Sequence, residues 1–285
     1  MISNEELESA RQSAGGYLPA AAVERIVAAG VPLEQLMLSL IPRAKQFAIP
    51  AISNFFVGAV AHGVSGNLYF GANYEFPGQA LSFTVHAEQA ATMHAISFGE
   101  TGIDLLAVSA APCGYCRQFL NELTTASSLQ ISLPDTPTTS LTSLLPNAFG
   151  PTDLGITAAL MSPQSHNMTL DPPIDTVTYA ALNAANTSYA PYSRGYAGVA
   201  LKTSDGRIYA GGVAENAAFN PSMSPLGAAI VALTINGGKK YEDIVDAVLV
   251  QAAGSQACQI DATRNVLVTV TKIPLRVYEA VVRNK

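Results

Sequence analysis

The sequence predicts an α/β protein made of two related halves behind an N-terminal helical segment, and three observations carry that expectation. Tyr69-Phe70-Gly71-Ala72-Asn73-Tyr74-Glu75 returns 140 residues later as Tyr209-Ala210-Gly211-Gly212-Val213-Ala214-Glu215, each copy preceded by a turn, Ser65-Gly66-Asn67 or Asp205-Gly206-Arg207. After each copy comes an alanine-rich stretch and then an apolar run, Ile103 to Ala110 in the first half and Ile244 to Val250 in the second, the pattern of strands buried on both faces. The chain has 285 residues, room for about two domains, and only 13% are charged while 49% are hydrophobic, which opposes disorder.

Along the chain, Ser3 with Glu6 first makes a capping box, and Pro19, Gly30 and Pro32 divide the next stretch into short helices up to about Lys45. Phe55 to Val64 alternates and is β-branched, Ser65-Gly66-Asn67 supplies turn chemistry, and Leu68 to Phe76 resumes the strand pattern, so a hairpin is expected. Thr84 to Phe98 lacks Gly and Pro and ends near Gly99, which suits a helix. The strand Ile103 to Ala110 ends at Pro112, Cys113 to Leu123 is helical in character, and Leu129 to Leu133 is another strand candidate. Pro134 to Ser143, rich in Thr, Pro and Ser, opens an irregular stretch that reads as a linker as far as about Pro173. Ala262 to Val270 looks β-like by its valines, but the repeat assigns it the place of the helix Cys113 to Leu123, so a helix is expected there. The expected organisation is a helical segment 1–45, a first domain 46–150, which the motifs below mark as the catalytic one, a linker 151–173 and a duplicated domain 174–285 that lacks those motifs.

Composition excludes several function classes. Fifteen Lys and Arg against 21 Asp and Glu give a net charge of −6, which disfavours a polyphosphate-binding surface. No run reaches the roughly 18 apolar residues of a membrane span; Asn216 to Gly238 is broken by Pro221 and Pro225, and its apolar part, Leu226 to Ile235, reads as a buried helix. The acidic N-terminus lacks a secretory pattern and three cysteines make no disulfide framework, so a cytoplasmic protein is expected.

Two short motifs can do chemistry. His86-Ala87-Glu88 opens one expected helix and Pro112-Cys113-Gly114-Tyr115-Cys116 opens the next. An imidazole and two thiolates suit zinc, and three protein ligands with an open position mark a catalytic site. Glu88, two residues beyond His86, suits a carboxylate that moves protons. Alone, the Cys-x-x-Cys would equally suit a thioredoxin-like thiol oxidoreductase, but that reading gives His86 and Glu88 no role and finds no Trp in the chain. A structural zinc site would need a fourth ligand, and neither Cys258 nor His62, His94 and His166 has ligand spacing. Cys258 is expected to be an inert buried thiol, the three histidines surface or satisfied core residues, and Arg117 either bonded to a carboxylate or in solvent.

His-x-Glu followed by Pro-Cys-x-x-Cys is the signature of zinc nucleobase deaminases. With Phe55-Phe56-Val57-Gly58-Ala59, Tyr69 to Glu75, Thr84 to Gln89 and Pro112 to Phe119, the chain resembles, over nearly its whole length, the long homodimeric bacterial cytidine deaminases. That resemblance implies duplicated three-layer α/β/α domains and hydrolytic deamination of free cytidine and deoxycytidine in pyrimidine salvage, by zinc-bound hydroxide attacking C4. His86, Cys113 and Cys116 would hold one zinc per chain and Glu88 would shuttle protons. Phe55, Asn73, Tyr74, Glu75, Ala87 and Phe149 would bind substrate: Asn73 and Glu75 at the ribose, Phe55 on the pyrimidine, the Ala87 N–H at the base carbonyl, and Phe149 in the partner subunit's site. In the second half Leu226 and Ala228 replace His86 and Glu88, so that half would keep only a packing role. Alternatives are a deaminase acting on a polynucleotide, for which the charge is wrong, a nucleoside-binding protein without turnover, and the thiol oxidoreductase.

Overall fold

Residues 16–283 are described by the computed structural model. Among them, 16–75 and 84–150 cluster as one unit and 76–83 with 151–283 as the other. The capping box expected at Ser3 and Glu6 lies outside the described residues.

In the first unit a short strand β1 (Tyr17–Leu18) precedes helices α1 (Ala20–Ala28) and α2 (Leu33–Ala44). Pro19 and Pro32 stand at their N-caps and Gly30, at φ +98°, turns the chain between them. Next come β2 (Gly58–Gly63), β3 (Leu68–Ala72), α3 (Ala87–Ser97), β4 (Ile103–Val108), α4 (Gly114–Leu120), β5 (Gln130–Leu133), β6 (Thr136–Ser140) and the single turn α5 (Leu141–Leu144). The sheet order is β1-β3-β2-β4-β5-β6. β2 and β3 form the expected antiparallel hairpin, with Gly58 opposite Ala72 and Ala59 opposite Gly71, and β4 pairs antiparallel with β2 and parallel with β5.

Two glycines show how the layers form. Opposed residues share a face of a sheet and neighbours along a strand alternate, so Gly58 and Gly71 face opposite ways. A Cβ on Gly58 would lie 2.9 Å from the Ile41 carbonyl of α2, and one on Gly71 only 2.1 Å from the Ala87 carbonyl of α3. The sheet is therefore covered by α2 on one face and α3 on the other. Every residue of α3 from Ala87 to Ala95 is buried, and its alanines allow the close approach that Gly71 completes.

The second unit repeats the plan. β7 (Met168–Thr169), α6 (Thr176–Asn186), β8 (Ala197–Thr203), β9 (Ile208–Gly212), α7 (Pro225–Val231), β10 (Ile244–Ala252), α8 (Ile260–Val270) and β11 (Leu275–Val282) form a sheet of order β7-β11-β10-β8-β9 with helices. Gly198 meets the Ala181 carbonyl of α6 and Gly211, on the other face, meets the Ala229 nitrogen of α7, each 2.4 Å from where a Cβ would stand. Val177, Ala181, Leu182, Val248 and Val250 anchor the core, each large side chain stabilising by about 2 kcal/mol. The Leu226 to Ile235 stretch is buried, as helix α7 continued by a π turn at Ala232–Asn236.

Ala262 to Val270 lies in α8, so the repeat outweighs the β preference of its valines. The Thr, Pro and Ser stretch departs from expectation: Thr136–Ser140 is a strand rather than the start of a linker. It pairs only with β5, at the sheet edge, where Pro137 leaves no central ladder bond unmade. β1 was not legible either, because two residues carry no periodicity. The irregular stretch after Pro151 contributes a 3-10 turn, Pro151–Leu154, and the edge strand β7.

Candidate functional site

His86 and Cys113 are both N-cap residues, the first of α3 and the second of α4. His86 is presented by a short bridge in which Tyr74 and Val85 exchange N–H to carbonyl bonds of 2.9 Å each. Its own N–H donates to Gln89 Oε1 at 3.2 Å, and the Tyr115 ring stacks on its imidazole with centroids 5.4 Å apart. Cys113 lies just past the end of β4, and Cys116, buried, lies in the first turn of α4.

These elements bring three metal-ligating atoms together. His86 Nδ1 is 3.3 Å from Cys116 Sγ and 3.7 Å from Cys113 Sγ, and the two sulfurs are 3.6 Å apart. A tetrahedral ion with bonds of about 2.3 Å to sulfur and about 2.0 Å to nitrogen requires S···S and N···S separations of roughly 3.5–3.8 Å. The donor set therefore fits zinc in both chemistry and spacing. Among the described residues this is the one such group of His, Cys, Asp and Glu. Sharing a proton with Cys116 holds the Cys113 thiol low, near a pKa of about 5, while that same bond and burial push Cys116 up.

Glu88 is 4% exposed, beside this cluster. Burial pushes its carboxyl up, against its own backbone N–H, the Cys116 thiol and the charge of His86. His86, Ala87, Glu88 and Cys113 form one wall of a cavity of about 260 Å³, with Thr84, Ala110 and Ala111. Ser53, Phe55, Val57, Asn73 and Glu75 form the other.

The second wall is wired to itself. Asn73 Oδ1 accepts from the Val57 N–H and its Nδ2 donates to the Phe55 carbonyl, both at 2.9 Å. Glu75 Oε2 accepts from the Ile52 and Ser53 N–H groups at 2.7 and 2.8 Å, and Oε1 from the Ser53 hydroxyl at 2.6 Å. Burial pushes the Glu75 carboxyl up, but these bonds and the charge of His86 outweigh it and hold it below the usual carboxylate range. Phe55 is 60% exposed at the cavity mouth.

The structure thus brings together His86, Ala87, Glu88, Cys113, Cys116, Phe55, Asn73 and Glu75. Two candidates stand apart. Tyr74 is fully buried and does not line the cavity, because in an extended segment its side chain points away from those of Asn73 and Glu75. Phe149 is outside the lining too: its side chain is 46% exposed and its carbonyl accepts from the Gln118 and Asn121 side-chain amides. Sequence reasoning missed Ser53; its recurrence as Ser193, at the same spacing of 140, was the available signal.

Other expectations need correction. The spacing of 140 does not hold at the helix starts: Val85 and Met223 are the bridge partners of Tyr74 and Ala214, so Ser224 and Leu226, not Leu226 and Ala228, take the places of His86 and Glu88. Cys258 is exposed rather than buried, since it precedes α8 on a surface turn. Arg117 bonds neither a carboxylate nor solvent alone but the Pro112 and Leu144 carbonyls, at 2.8 and 2.9 Å. His94 is fully buried with Nδ1 on the Phe70 carbonyl, His62 pairs with Asp104, and His166 stacks on Tyr196.

Comparison with known proteins agrees with this geometry. The family described as the cytidine and deoxycytidylate deaminase zinc-binding region matches twice, over residues 32–130 and 141–264. The cytidine deaminase of Aeromonas hydrophila subsp. hydrophila is 50% identical over 254 residues, 89% of this chain and 86% of that protein. That of Yersinia pestis is 50% identical over 234 residues, 82% and 79% of the two chains. With a zinc-binding family model on a His, Cys, Cys donor set, zinc is the cofactor. The chain belongs to the zinc-dependent cytidine deaminases, hydrolases of α/β fold, in a form with two deaminase domains.

Proposed function

We propose that this chain deaminates free cytidine and deoxycytidine hydrolytically, releasing ammonia and leaving uridine or deoxyuridine. The observation that carries this reading is the His86, Cys113 and Cys116 cluster beside buried Glu88, opening on a cavity of about 260 Å³. His86, Cys113 and Cys116 hold the zinc, and three protein ligands leave a coordination position open, as in catalytic sites. Zinc, when bound, lowers the pKa of a water to near neutrality.

The chain's own groups do the rest. Glu88 takes a proton from the attacking water, passes it to N3 of the pyrimidine, and later protonates the amino group leaving C4. Its burial suits that exchange, because a carboxyl pushed up from its ordinary range holds a proton more readily than an exposed one. The Ala87 N–H, in the first turn of α3, donates to the base carbonyl, and Phe55 packs on the ring. Asn73 and Glu75 hold the sugar hydroxyls; Glu75, kept ionised, accepts from them. Tyr74 supports both neighbours through its bridge to Val85.

The first unit is the catalytic one and the second carries no turnover, because Ser224, the N-cap of α7, and Leu226 stand where His86 and Glu88 stand at the start of α3. The protein acts as a cytoplasmic homodimer in which exposed Phe149 reaches the partner subunit's site. A polynucleotide substrate is disfavoured by a net charge of −6.

The test is an ultraviolet absorbance assay with cytidine, beside a cytosine-containing oligonucleotide, before and after metal chelation. Conversion of cytidine alone, abolished by chelation and restored by zinc, is the expected result. A folded, zinc-loaded protein that leaves cytidine unchanged refutes the proposal.

A further inference from the structure

The bond between Glu75 and Ser53 is present twice. In the second unit Glu215 Oε2 accepts from the Tyr192 and Ser193 N–H groups at 2.9 and 3.1 Å, and Oε1 accepts from the Ser193 hydroxyl. The surrounding backbone matches as well. Asn54 and Arg194 take left-handed φ of 54° and 56°, and their N–H groups donate to the Pro50 and Ala190 carbonyls. Each serine hydroxyl also accepts an N–H two residues on, from Phe55 at 3.0 Å in one unit and Gly195 at 2.8 Å in the other.

The two latches differ in what they carry. Phe55 and Asn73 in the first unit correspond to Gly195 and Val213 in the second, and His86 and Glu88, at the start of α3, to Ser224 and Leu226 at the start of α7. The second unit therefore keeps the serine–glutamate latch without the groups that would face a nucleoside. The latch is a device for shaping a loop, and in the first unit that loop presents Phe55 beside a carboxylate in the cavity wall.

We propose that Ser53 is a positioning residue for the sugar: its hydroxyl sets the Glu75 carboxylate and the Phe55 loop in one geometry, and preference for nucleoside over free base depends on it. This inference rests on the reading of Glu75 as the sugar-binding carboxylate. Ser53 Oγ spends its single proton on Glu75 Oε1 and accepts the Phe55 N–H. Without it the carboxylate keeps only the two N–H bonds on Oε2, leaving Oε1 free to rotate or to be hydrated, and the Phe55 N–H loses its acceptor. Each sugar hydroxyl then meets an acceptor that must first be ordered.

The experiment uses the full-length zinc-loaded protein and measures calorimetric binding of uridine and of uracil, with cytidine turnover recorded on the same samples. Wild type is expected to bind uridine at least tenfold more tightly than uracil. Ser53→Ala is expected to narrow that ratio by about tenfold, the scale of one hydrogen bond to a charged group, and to raise KM for cytidine more than it lowers kcat. Ser53→Thr, which keeps the hydroxyl, restores most of the ratio, and Ser53→Cys, a gentler change with a weak donor, falls between. Ser193→Ala is the internal control: it removes the same latch bond from the second unit, lowers the thermal midpoint similarly and leaves the ratio unchanged.

An unchanged ratio in Ser53→Ala and Ser53→Cys, or an equal fall in Ser193→Ala, overturns the proposal by making the latch purely architectural. A wild type that binds uridine no better than uracil overturns it together with the sugar role of Glu75. Deaminase activity is judged separately, by whether that wild type converts cytidine.

Discussion

His94 ties the stability of the site-bearing helix to pH. Its imidazole is fully buried in α3, six residues beyond Glu88, with Nδ1 on the Phe70 carbonyl at 2.9 Å and Nε2 without a partner. Tyr69 and Phe98 meet the ring edge-on. Burial, only partly offset by the Phe70 carbonyl, lowers the pKa from 6.5 to about 4. A depressed folded-state pKa means that the unfolded chain binds the proton first. The neutral form's advantage is complete above pH about 6.5 and is lost as pH falls toward about 4. At about 1.4 kcal/mol per pKa unit, that interval costs about 3 kcal/mol. His94→Met removes the titration while filling similar volume, and costs about 1–3 kcal/mol at pH 7.5 by leaving the Phe70 carbonyl unpaired. Urea unfolding of both proteins from pH 7.5 to 4.5 isolates the effect in their difference, since every other titrating group is common. The wild type should lose its advantage over His94→Met by about 2–3 kcal/mol across that range. Parallel curves would refute the reasoning and place the proton on a group other than His94.

Three further outcomes are expected. Glu88→Gln should keep zinc, by metal analysis, while kcat falls about 10²–10⁴-fold; near-normal turnover removes the proton-transfer role. Cys116→Ala should lose zinc on mild dialysis and Cys258→Ala, at an exposed site, should retain one equivalent; zinc retention by the first would contradict the ligand set. Gly71→Ala should destabilise by about 1–3 kcal/mol or more and weaken zinc binding, because its Cβ would stand 2.1 Å from the Ala87 carbonyl and 2.3 Å from the Ala91 nitrogen. Gly211→Ala, with its Cβ 2.4 Å from Ala229 N, should cost comparable stability, measured by thermal unfolding, without changing zinc content.

The candidate site was legible because its residues are written in local spacing. His86 and Cys113 each cap a helix, so His-x-Glu and Cys-x-x-Cys aim their side chains from the first turns of α3 and α4 whatever the rest of the chain does. The repeat was legible for a similar reason, and it decided α8 correctly against the preference of its valines. The edge strand β6 escaped because Thr, Pro and Ser are turn residues by habit, and only the open side of β5 makes a strand of them. Cys258 was misplaced because composition ranks cysteine as buried while position on a surface turn decides.

By itself the sequence determined the α/β class and the duplication and brought out the candidate donor set with a carboxylate beside it, since these depend on residue type and short-range periodicity. Tertiary structure alone decided that the sulfurs and the imidazole nitrogen stand 3.3–3.7 Å apart. It also decided that Asn73 and Glu75 face the cavity while Tyr74 turns away, and that Ser53 closes on a carboxylate 22 residues distant. The reason is physical: sheet register and helix docking set these separations, and a hydrogen bond between residues far apart in sequence leaves no mark on the local pattern of either.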